Sequence, residues 1–326
     1  MLLSVIIPYY NRNAWIGRTL DSLLDQDLDP SEYEIVVIDD GSDEDPVVLK
    51  DYANRYPNIF RYPGGHHGPA VARNQGIAQA KGEWLYFCDS DDYVQSNTFG
   101  RILAAVEGQG VEMIITGFQW VYPGQPIQMP RCDYSAVSKV MTGLEYLKRP
   151  PQPFFWGLGN FFVRRDVLES KNILFRDIQF VEDRLFKLSL LPQVTRLVHI
   201  DVDLYRYVQH EDSVINAQRK RNMPAYYTTF PVYLERMTEL SRDPATPPEA
   251  SQFLVYRRNN AAYRMMTQAF HDKPEVSESF VPRLEAMGVY PFPIDPKDNA
   301  KVRLIKYLMN HRRLWPVLYR LFRLGL

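Results

Sequence analysis

The chain has 326 residues, of which 45% are hydrophobic and 13% aromatic, and it carries 38 Lys and Arg against 39 Asp and Glu. This apolar content can bury a large core, which excludes an intrinsically disordered or collagen-like chain. Two cysteines, Cys88 and Cys132, are too few for a disulfide framework or a thiolate zinc site. A reducing compartment is therefore expected.

Charge is unevenly distributed along the chain, although the formal net charge is only −1. Residues 1–100 contain 7 Lys and Arg against 16 Asp and Glu, a balance of −9. Such a region repels phosphates unless a metal or buried cations intervene. The acidic first third therefore argues against nucleic acid as a partner and in favour of a metal-assisted site.

The N-terminus, from Met1 to Pro8, has no basic segment, and its apolar run is too short for the core of a signal peptide. No uninterrupted apolar run reaches the roughly 18 residues of a membrane span. We expect the protein to work in the cytoplasm, where it is made.

The first hundred residues alternate between apolar strands and amphipathic helices. Such alternation is typical of βαβ units in an open, mostly parallel α/β sheet with helices on both faces. Strands are predicted at 5–7, 34–38, 59–62 and 84–88, and helices at 14–24 and 69–79.

The pattern is looser beyond residue 110, and the last third is predicted to be mainly helical. The predicted features are a strand at 111–118, a loop at 122–130, a break at 150–153, helices from about 226 that include 252–269, and Pro-containing connections at 244–248 and 291–296.

Three polar clusters follow predicted strands, at the carboxyl ends where open α/β sheets bind ligands. They are Pro8-Tyr9-Tyr10-Asn11, Asp39-Asp40-Gly41-Ser42 and Asp89-Ser90-Asp91-Asp92. The third places three carboxylates within four residues, where they repel one another unless they are solvated, hydrogen-bonded or gathered around a cation. One interpretation is Mg²⁺ or Mn²⁺ holding a diphosphate. The other is an acidic turn that caps a helix starting near Ser96.

Four segments carry a specific signal in their order and spacing: residues 4–11, 37–42, 72–76 and 82–92. Together they closely resemble the inverting glycosyltransferases of family 2. The resemblance implies a GT-A fold with a Rossmann-like half that binds a nucleotide-diphosphate sugar. It also implies a divalent metal, Mn²⁺ or Mg²⁺, that bridges the diphosphate.

The resemblance implies a nucleotide site built from the first two clusters. Pro8, Tyr10 and Asn11 lie where the family contacts the nucleotide, and Asp40 lies where a carboxylate accepts a hydrogen bond from the base. Asp39 has two interpretations, a functional one at this site and a structural one as an acceptor for backbone N–H groups of its turn.

The same resemblance implies roles near the phosphates. Arg73 would position the nucleotide or pyrophosphate, and Asp89 would lie near the ribose. Asp91 matches the Asp that ligates the metal, and Asp92 would contact the donor or acceptor sugar.

A looser resemblance covers the acceptor side, in residues 154–165 and 180–186. There the family places its catalytic base in a Glu-Asp pair ahead of an apolar helix, which implies Asp183, with Glu182 as the alternative. A base must reach the acceptor hydroxyl opposite the leaving diphosphate. The competing interpretation is a first-turn acidic pair favoured by the helix dipole.

Residues 205–213 resemble the family's aromatic strand that ends in a His. His210 could complete the metal shell or contact the diphosphate, or it could be structural. Trp156 could stack on a sugar ring or belong to the core.

The last 26 residues contain seven Lys and Arg and no acidic residue, interleaved with apolar side chains. A cationic amphipathic helix broken near Pro316 suits docking in the plane of an anionic membrane, here over residues 301–326 at the inner face of the cell membrane. The alternative is a terminal helix that packs its apolar stripe on the protein body. The helices after residue 226 could also form a homodimer surface.

The predicted domains are 1–220, with a donor half at 1–110 and an acceptor half at 111–220, and a helical region at 221–326. The sequence predicts a metal-dependent inverting glycosyltransferase of the hexosyl or N-acetylhexosaminyl class. It would use a nucleotide-diphosphate sugar, a UDP-sugar, to extend a bacterial surface polysaccharide or its lipid-linked precursor.

Two alternatives stay open. A nucleotidyltransferase would normally carry a Gly- and Lys/Arg-rich loop after the first strand, where this chain has Pro8 to Asn13. A non-catalytic scaffold that binds carbohydrate or membrane on the same fold is weakened by the intact set Asp40, Asp89, Asp91 and Asp183.

Overall fold

A computed structural model describes residues 1–126, 128–150, 155–178, 181–210, 223–244, 246–272, 274–296 and 298–324, and within these it leaves the side chains of 223–228, 272 and 274–276 undescribed. The chain divides into two compact units, Met1–Ala217 and Gln218–Leu326. The boundary predicted at residue 220 and the break at 151–153 lie outside the described residues.

The first unit contains a nine-stranded mixed sheet. Its strand order is β3-β2-β1-β4-β8-β6-β9-β5, with β7 paired to β9. The strands are β1 Leu3–Tyr9, β2 Tyr33–Asp39, β3 Ile59–Pro63, β4 Trp84–Phe87, β5 Tyr93–Val94, β6 Met113–Val121, β7 Cys132–Val137, β8 Phe161–Arg164 and β9 Leu197–Val208.

Seven helices accompany this sheet within the described part of the first unit, besides a short 3₁₀ turn at Leu191–Gln193. They are α1 Asn13–Leu24, α2 Val47–Arg55, α3 Pro69–Gln79, α4 Phe99–Ala104, α5 Gly143–Lys148, α6 Arg165–Ser170 and α7 Glu182–Leu190.

The four strands β3, β2, β1 and β4 run parallel, as the alternating pattern predicted. Register pairs run from Leu3 with Tyr33 to Tyr9 with Asp39, so β1 and β2 end at the same edge. The second half of the sheet is mixed, because β8 is antiparallel to both β4 and β6. The predicted open α/β sheet is therefore confirmed, and its parallel part carries the three polar clusters.

Several predicted boundaries move by a few residues. The first strand passes through Pro8 to Tyr9 instead of ending at the proline. Its pairing with β4 stops at Ile6, so Pro8 has a strand neighbour on one side only, where a missing backbone donor is tolerated. The helix predicted to start near Ser96 begins at Phe99.

Close packing of α3 on the sheet places the residues of its first turns over the strand ends. A Cβ atom at Gly76 would lie 2.4 Å from Cγ2 of Ile6, so only glycine allows this approach. At the other end of the helix, Gly68 has φ +90°, a conformation that side chains rarely adopt, and Pro69 begins the helix.

The second unit is helical, as predicted. Its described helices are α8 Met223–Arg242, α9 Pro248–Asp272, α10 Pro274–Ala286, α11 Ala300–Asn310 and α12 Trp315–Arg323, with a 3₁₀ turn at Arg312–Leu314. No helix among the described residues is long and apolar enough to cross a membrane.

The basic tail is broken near Pro316, as predicted, between α11 and α12. The first tail helix ends at Asn310, and Pro316 lies in the first turn of α12, where its missing N–H costs no helical hydrogen bond. Much of the apolar stripe is buried inside the unit, with Trp315 and Phe322 packed against Phe270. Apolar side chains that stay exposed are Leu304, Tyr307, Val317 and Leu324.

Candidate active site

Three of the predicted site residues, Asp89, Glu182 and Asp183, converge around one buried cation, Arg73 on α3. Its side chain is only 4% exposed. Nη2 lies 2.7 Å from Asp89 after β4, and Nη1 lies 3.1 Å from Asp183 and 3.4 Å from Glu182 at the start of α7. One guanidinium thus joins the donor-side carboxylate to the predicted base.

Aromatic packing and a paired amide hold α7 and α3 in this arrangement. The ring of Phe186 stacks on Phe175 at 3.8 Å and meets Phe87 of β4 edge-on at 5.7 Å. Asn74, beside Arg73, exchanges hydrogen bonds of 2.9 and 2.8 Å with the backbone of Phe175. These contacts hold the two helices together independently of the ion cluster.

The cluster has opposite electrostatic effects on its members. Burial raises the pKa of Asp183 to about 7, Arg73 opposes the rise, and Glu182 and Asp89 add to it, although 27% of the Asp183 side chain is exposed. Burial alone would lower the pKa of Arg73, but the three carboxylates outweigh it and raise that pKa. Arg73 therefore stays charged while Asp183 can exchange a proton near neutral pH.

The carboxylate of Asp40 organises the start of α3. It accepts hydrogen bonds from the backbone N–H groups of His67 at 2.9 Å and Gly68 at 2.7 Å, and the residue is 7% exposed. Each oxygen keeps a second lone pair. Asp40 is thus a structural acceptor at the helix that carries Arg73, and it can still accept one more hydrogen bond per oxygen.

A polar network surrounds Tyr10 and Asn11 beyond β1. The Tyr10 hydroxyl donates to Asp43 at 2.6 Å, and the Asn11 amide donates to the same oxygen at 3.1 Å. The Tyr10 ring lies 4.8 Å from the ring of His66. Pro8 is half-buried within the strand that leads to this network.

Asp39 follows the structural interpretation. Its Oδ1 accepts a hydrogen bond of 3.2 Å from the backbone N–H of Ser42, within the turn after β2. Asp39 therefore stabilises its own turn, as one of the two interpretations predicted.

A second cluster surrounds Asp91, whose Oδ2 lies 3.1 Å from Nε2 of His210 and 3.3 Å from Nε of Arg12. The His210 ring stacks on Trp15 at 4.4 Å with an interplanar angle of 25°. Burial alone would raise the pKa of Asp91, but His210 and Arg12 outweigh it and hold that pKa below its usual value. The carboxylate therefore stays ionised.

The Asp91 and His210 pair fits a divalent metal in part. An oxygen and an imidazole nitrogen 3.1 Å apart are two neighbouring donors of the kinds that Mn²⁺ accepts. Across the described ranges, no group of three or more His, Cys, Asp or Glu side chains is placed to hold a metal. Two protein ligands would leave the remaining positions to phosphate oxygens and water, which is usual for Mg²⁺.

Asp92 does not join either cluster, which corrects its expected contact with a sugar. The residue is 1% exposed, and its carboxylate accepts hydrogen bonds from the Tyr205 hydroxyl at 2.5 Å and the Val208 backbone at 2.7 Å. Burial keeps the pKa of Asp92 well above its usual value. It ties the loop after β4 to β9.

Trp156 is half-buried and lies beside α7. The guanidinium of Arg184, next to Asp183 on α7, sits 5.9 Å from the Trp156 ring centre. Other members of the predicted motifs, namely residues 154, 180 and 211–213, lie outside the described residues.

Two residues close to the predicted site residues were missed by the sequence reasoning. Arg12 directly follows the predicted Tyr10 and Asn11. A cation just after the first strand, in a region rich in carboxylates, could have marked it as a partner for one of them. Lys187 lies four residues after Asp183 among the apolar side chains of α7, an unusual place for a cation. That position among apolar residues was the signal available in the sequence, because lysine is rarely buried without a partner.

The chain is similar to several known proteins of one family. The model of glycosyl transferase family 2 matches residues 4–170. The protein named uncharacterized glycosyltransferase EpsJ, from Bacillus subtilis, is 32% identical over 226 residues, which are 68% of this chain and 65% of EpsJ. The poly(ribitol-phosphate) beta-N-acetylglucosaminyltransferase TarS of Staphylococcus aureus is 27% identical over 211 residues, 64% of this chain and 35% of TarS.

A solved structure shares the fold. The crystal structure of S. aureus TarS 1-349 in complex with UDP-GlcNAc has a TM-score of 0.76 at 20% identity, covering 100% of this chain and 92% of that one. The chain spans less than two thirds of the length of EpsJ and TarS. Because the family model covers just over half of the chain, and EpsJ is 32% identical, the chain belongs to glycosyl transferase family 2.

Proposed function

We propose that this glycosyltransferase moves a sugar from a UDP-sugar to a hydroxyl of a bacterial surface glycan or its lipid-linked precursor, with inversion at the anomeric carbon. The observation that carries the proposal is the buried Arg73, which holds Asp89 and Asp183 on one guanidinium. A donor-side carboxylate and a candidate base are thereby a fixed distance apart. TarS supports the donor class, because its fold binds UDP-GlcNAc.

The donor would lie along the carboxyl edge of β1, β2 and β4. Tyr10 and His66 offer aromatic rings to the nucleobase, and Asp40 offers it the remaining acceptor positions of its carboxylate. Asp89 would lie near the ribose. Stacking and a few placed hydrogen bonds are the usual means of orienting such a ligand.

Asp91 and His210 would hold the Mn²⁺ or Mg²⁺ ion of the family, which supplies positive charge to the leaving diphosphate when it is bound. The lowered pKa of Asp91 keeps that ligand ionised. Arg12, 3.3 Å from the same oxygen, adds a fixed positive charge beside the diphosphate position.

Asp183 would act as the base in one direct displacement. The acceptor oxygen forms a bond to the anomeric carbon while the bond from that carbon to the diphosphate oxygen breaks, and the carboxylate takes the hydroxyl proton. A base with a pKa near the working pH is best suited to this transfer. Glu182 is the less accessible candidate, since its side chain is 12% exposed against 27% for Asp183.

Calorimetric titration tests the donor site. UDP, GDP and UDP-GlcNAc are titrated with Mn²⁺ or with EDTA into the wild type, Asp91→Ala and a control, Asp133→Ala, whose carboxylate bonds locally to Ser135 on β7. We expect metal-dependent binding of the UDP ligands, weakened about 10- to 100-fold in Asp91→Ala and unchanged in the control.

Binding that ignores both the metal and Asp91 would overturn the proposed metal site. Binding of no nucleotide would favour the carbohydrate-binding scaffold, and binding of a nucleoside triphosphate in preference to UDP would favour a nucleotidyltransferase.

Peripheral membrane association and a homodimer surface are further proposals for the second unit. The tail supports the first through its exposed cations, such as Arg303, Arg313 and Arg320, which lie among the exposed apolar side chains already named. The buried stripe contributes nothing to a membrane contact, so the expected attraction is mainly electrostatic.

A further inference from the structure

A buried lysine lies one helical turn beyond the proposed base, and the mechanism above does not use it. Lys187 of α7 is 2% exposed, and its Nζ donates to the carbonyl of Phe155 and to Oδ1 of Asn160, both at 2.8 Å. Burial lowers its pKa to about 7, while the charge of Asp183 opposes that shift. A cation in such a place is costly unless its hydrogen bonds are important.

The two hydrogen-bond acceptors just named belong to one stretch, residues 155–160, which we call the acceptor wall. Its far end is fixed to the sheet, because the Tyr86 hydroxyl donates to the Gly159 carbonyl at 2.5 Å and the Asn160 amide donates to Thr116 at 3.2 Å. Its near end stacks the Phe155 ring on Phe118 at 4.0 Å. Lys187 links this wall to α7 through two hydrogen bonds.

The base helix thus holds the acceptor wall at two points. Arg184 lies over the Trp156 ring, and Lys187 binds the carbonyl of the preceding residue, Phe155. Asp183 and Lys187 are four residues apart and share one face of α7. A shift of the wall would therefore change the distance between Trp156 and the carboxylate of Asp183.

We propose that Lys187 is a positioning residue for the acceptor, which locks the acceptor wall and Trp156 against the helix that carries Asp183. The acceptor class is a sugar whose apolar face stacks on Trp156 while its hydroxyl meets Asp183. This inference rests on the proposed function, and Lys187 itself touches neither sugar nor donor.

The test compares Lys187→Met, which keeps the length and removes the ammonium donors, with Lys306→Met. Lys306 is a matched control in the second unit: it is 7% exposed and donates to the carbonyl of Pro293 at 2.9 Å and to Asp298 at 2.7 Å. The proteins are labelled with fluorotryptophan, and the Trp156 resonance is assigned with Trp156→Phe. Fluorine NMR then reports the wall without any need for substrate.

We expect the Trp156 resonance to shift or broaden in Lys187→Met and to stay unchanged in Lys306→Met, with UDP affinity unchanged in both. With UDP-GlcNAc and Mn²⁺, the KM for p-nitrophenyl N-acetyl-β-glucosaminide rises about tenfold or more in Lys187→Met, because small misplacements of a reactant are costly. Hydrolysis of the donor by water stays at the wild-type rate, and Lys187→Arg, which keeps donors, recovers part of the loss.

An unchanged Trp156 resonance in folded Lys187→Met would overturn the inference. So would a fall in donor hydrolysis equal to the fall in transfer, because that result would place Lys187 on the donor side. If the wild type binds no UDP, the proposed function fails, while the Trp156 resonance still decides whether Lys187 positions the wall.

Discussion

Two aspartates at the same sheet edge have opposite electrostatic properties. Asp91, after β4, lies beside His210 and Arg12, and its pKa is held below its usual value. Asp183, at the start of α7, shares one guanidinium with two other carboxylates, and burial raises its pKa to about 7. The surroundings of each aspartate, and not the residue type, set its charge state. One carboxylate is therefore suited to hold a cation and the other to hold a proton.

The sharpest way to test this division is to remove the proton acceptor. Asp183→Asn keeps an oxygen for Arg73 and loses the basic group, so kcat should fall about 10²- to 10⁴-fold while UDP affinity stays unchanged. Steady-state kinetics with UDP-GlcNAc and titration of UDP measure the two quantities.

Glu182→Gln is the matched control, because it removes the neighbouring carboxylate on the same guanidinium. Its kcat should stay much closer to that of the wild type. A larger loss in Glu182→Gln than in Asp183→Asn would exchange the two roles.

Arg73→Gln should change how activity depends on pH. The wild-type kcat/KM should rise with pH through an inflection near 7, since Asp183 must lose its proton to act. Arg73 opposes the raised pKa of Asp183, so its loss should move the inflection upward by about 1 to 3 units. The profile of kcat/KM against pH, with the metal held constant, provides the measurement.

Arg101→Gln is the control, an exposed arginine paired with Asp27 away from the site. Its profile should match the wild type. An inflection in Arg73→Gln that stays in place or moves downward would contradict the proposed effect of Arg73 on the base.

The smallest expected effect is on stability. A folded-state pKa raised from 3.8 to about 7 contributes stability that is present below pH 4 and is lost as pH rises through 7. Asp183→Asn has no such titration. Its free energy of unfolding relative to that of the wild type should therefore increase by about 1–3 kcal/mol from pH 5 to pH 8, after allowance for partial exposure. Thermal unfolding at the two pH values measures this gain.

Asp133→Asn provides the comparison of opposite sign, because hydrogen bonds from Ser135 lower the pKa of Asp133. Its stability relative to the wild type should be the same at both pH values. An equal difference at both pH values in Asp183→Asn would mean that Asp183 titrates in its ordinary range.

Periodicity was sufficient to predict the parallel part of the fold and the place of the donor site. Strands 34–38 and 84–88 were predicted within two residues of β2 and β4, and helix 69–79 coincides with α3. Parallel strands end at one edge, so Tyr10, Asp40 and Asp89 had to lie near each other. The resemblance added roles for individual residues, which stay predictions until the experiments above are done.

Periodicity could not predict which carboxylate would face inward. Asp91 and Asp92 are adjacent in sequence, yet one lies at the edge beside His210 and the other is enclosed by Tyr205 and Val208 of β9.

Local sequence patterns were enough to predict the alternation of strands and helices, the acidic strand ends and the helical last third, because burial pattern and turn residues act over a few neighbours. The contacts of Arg73 with Asp183, 110 residues away, and of Lys187 with Phe155 form only in the folded chain. Such pairings depend on how helices dock across the sheet, and the pKa of each carboxylate depends in turn on those pairings.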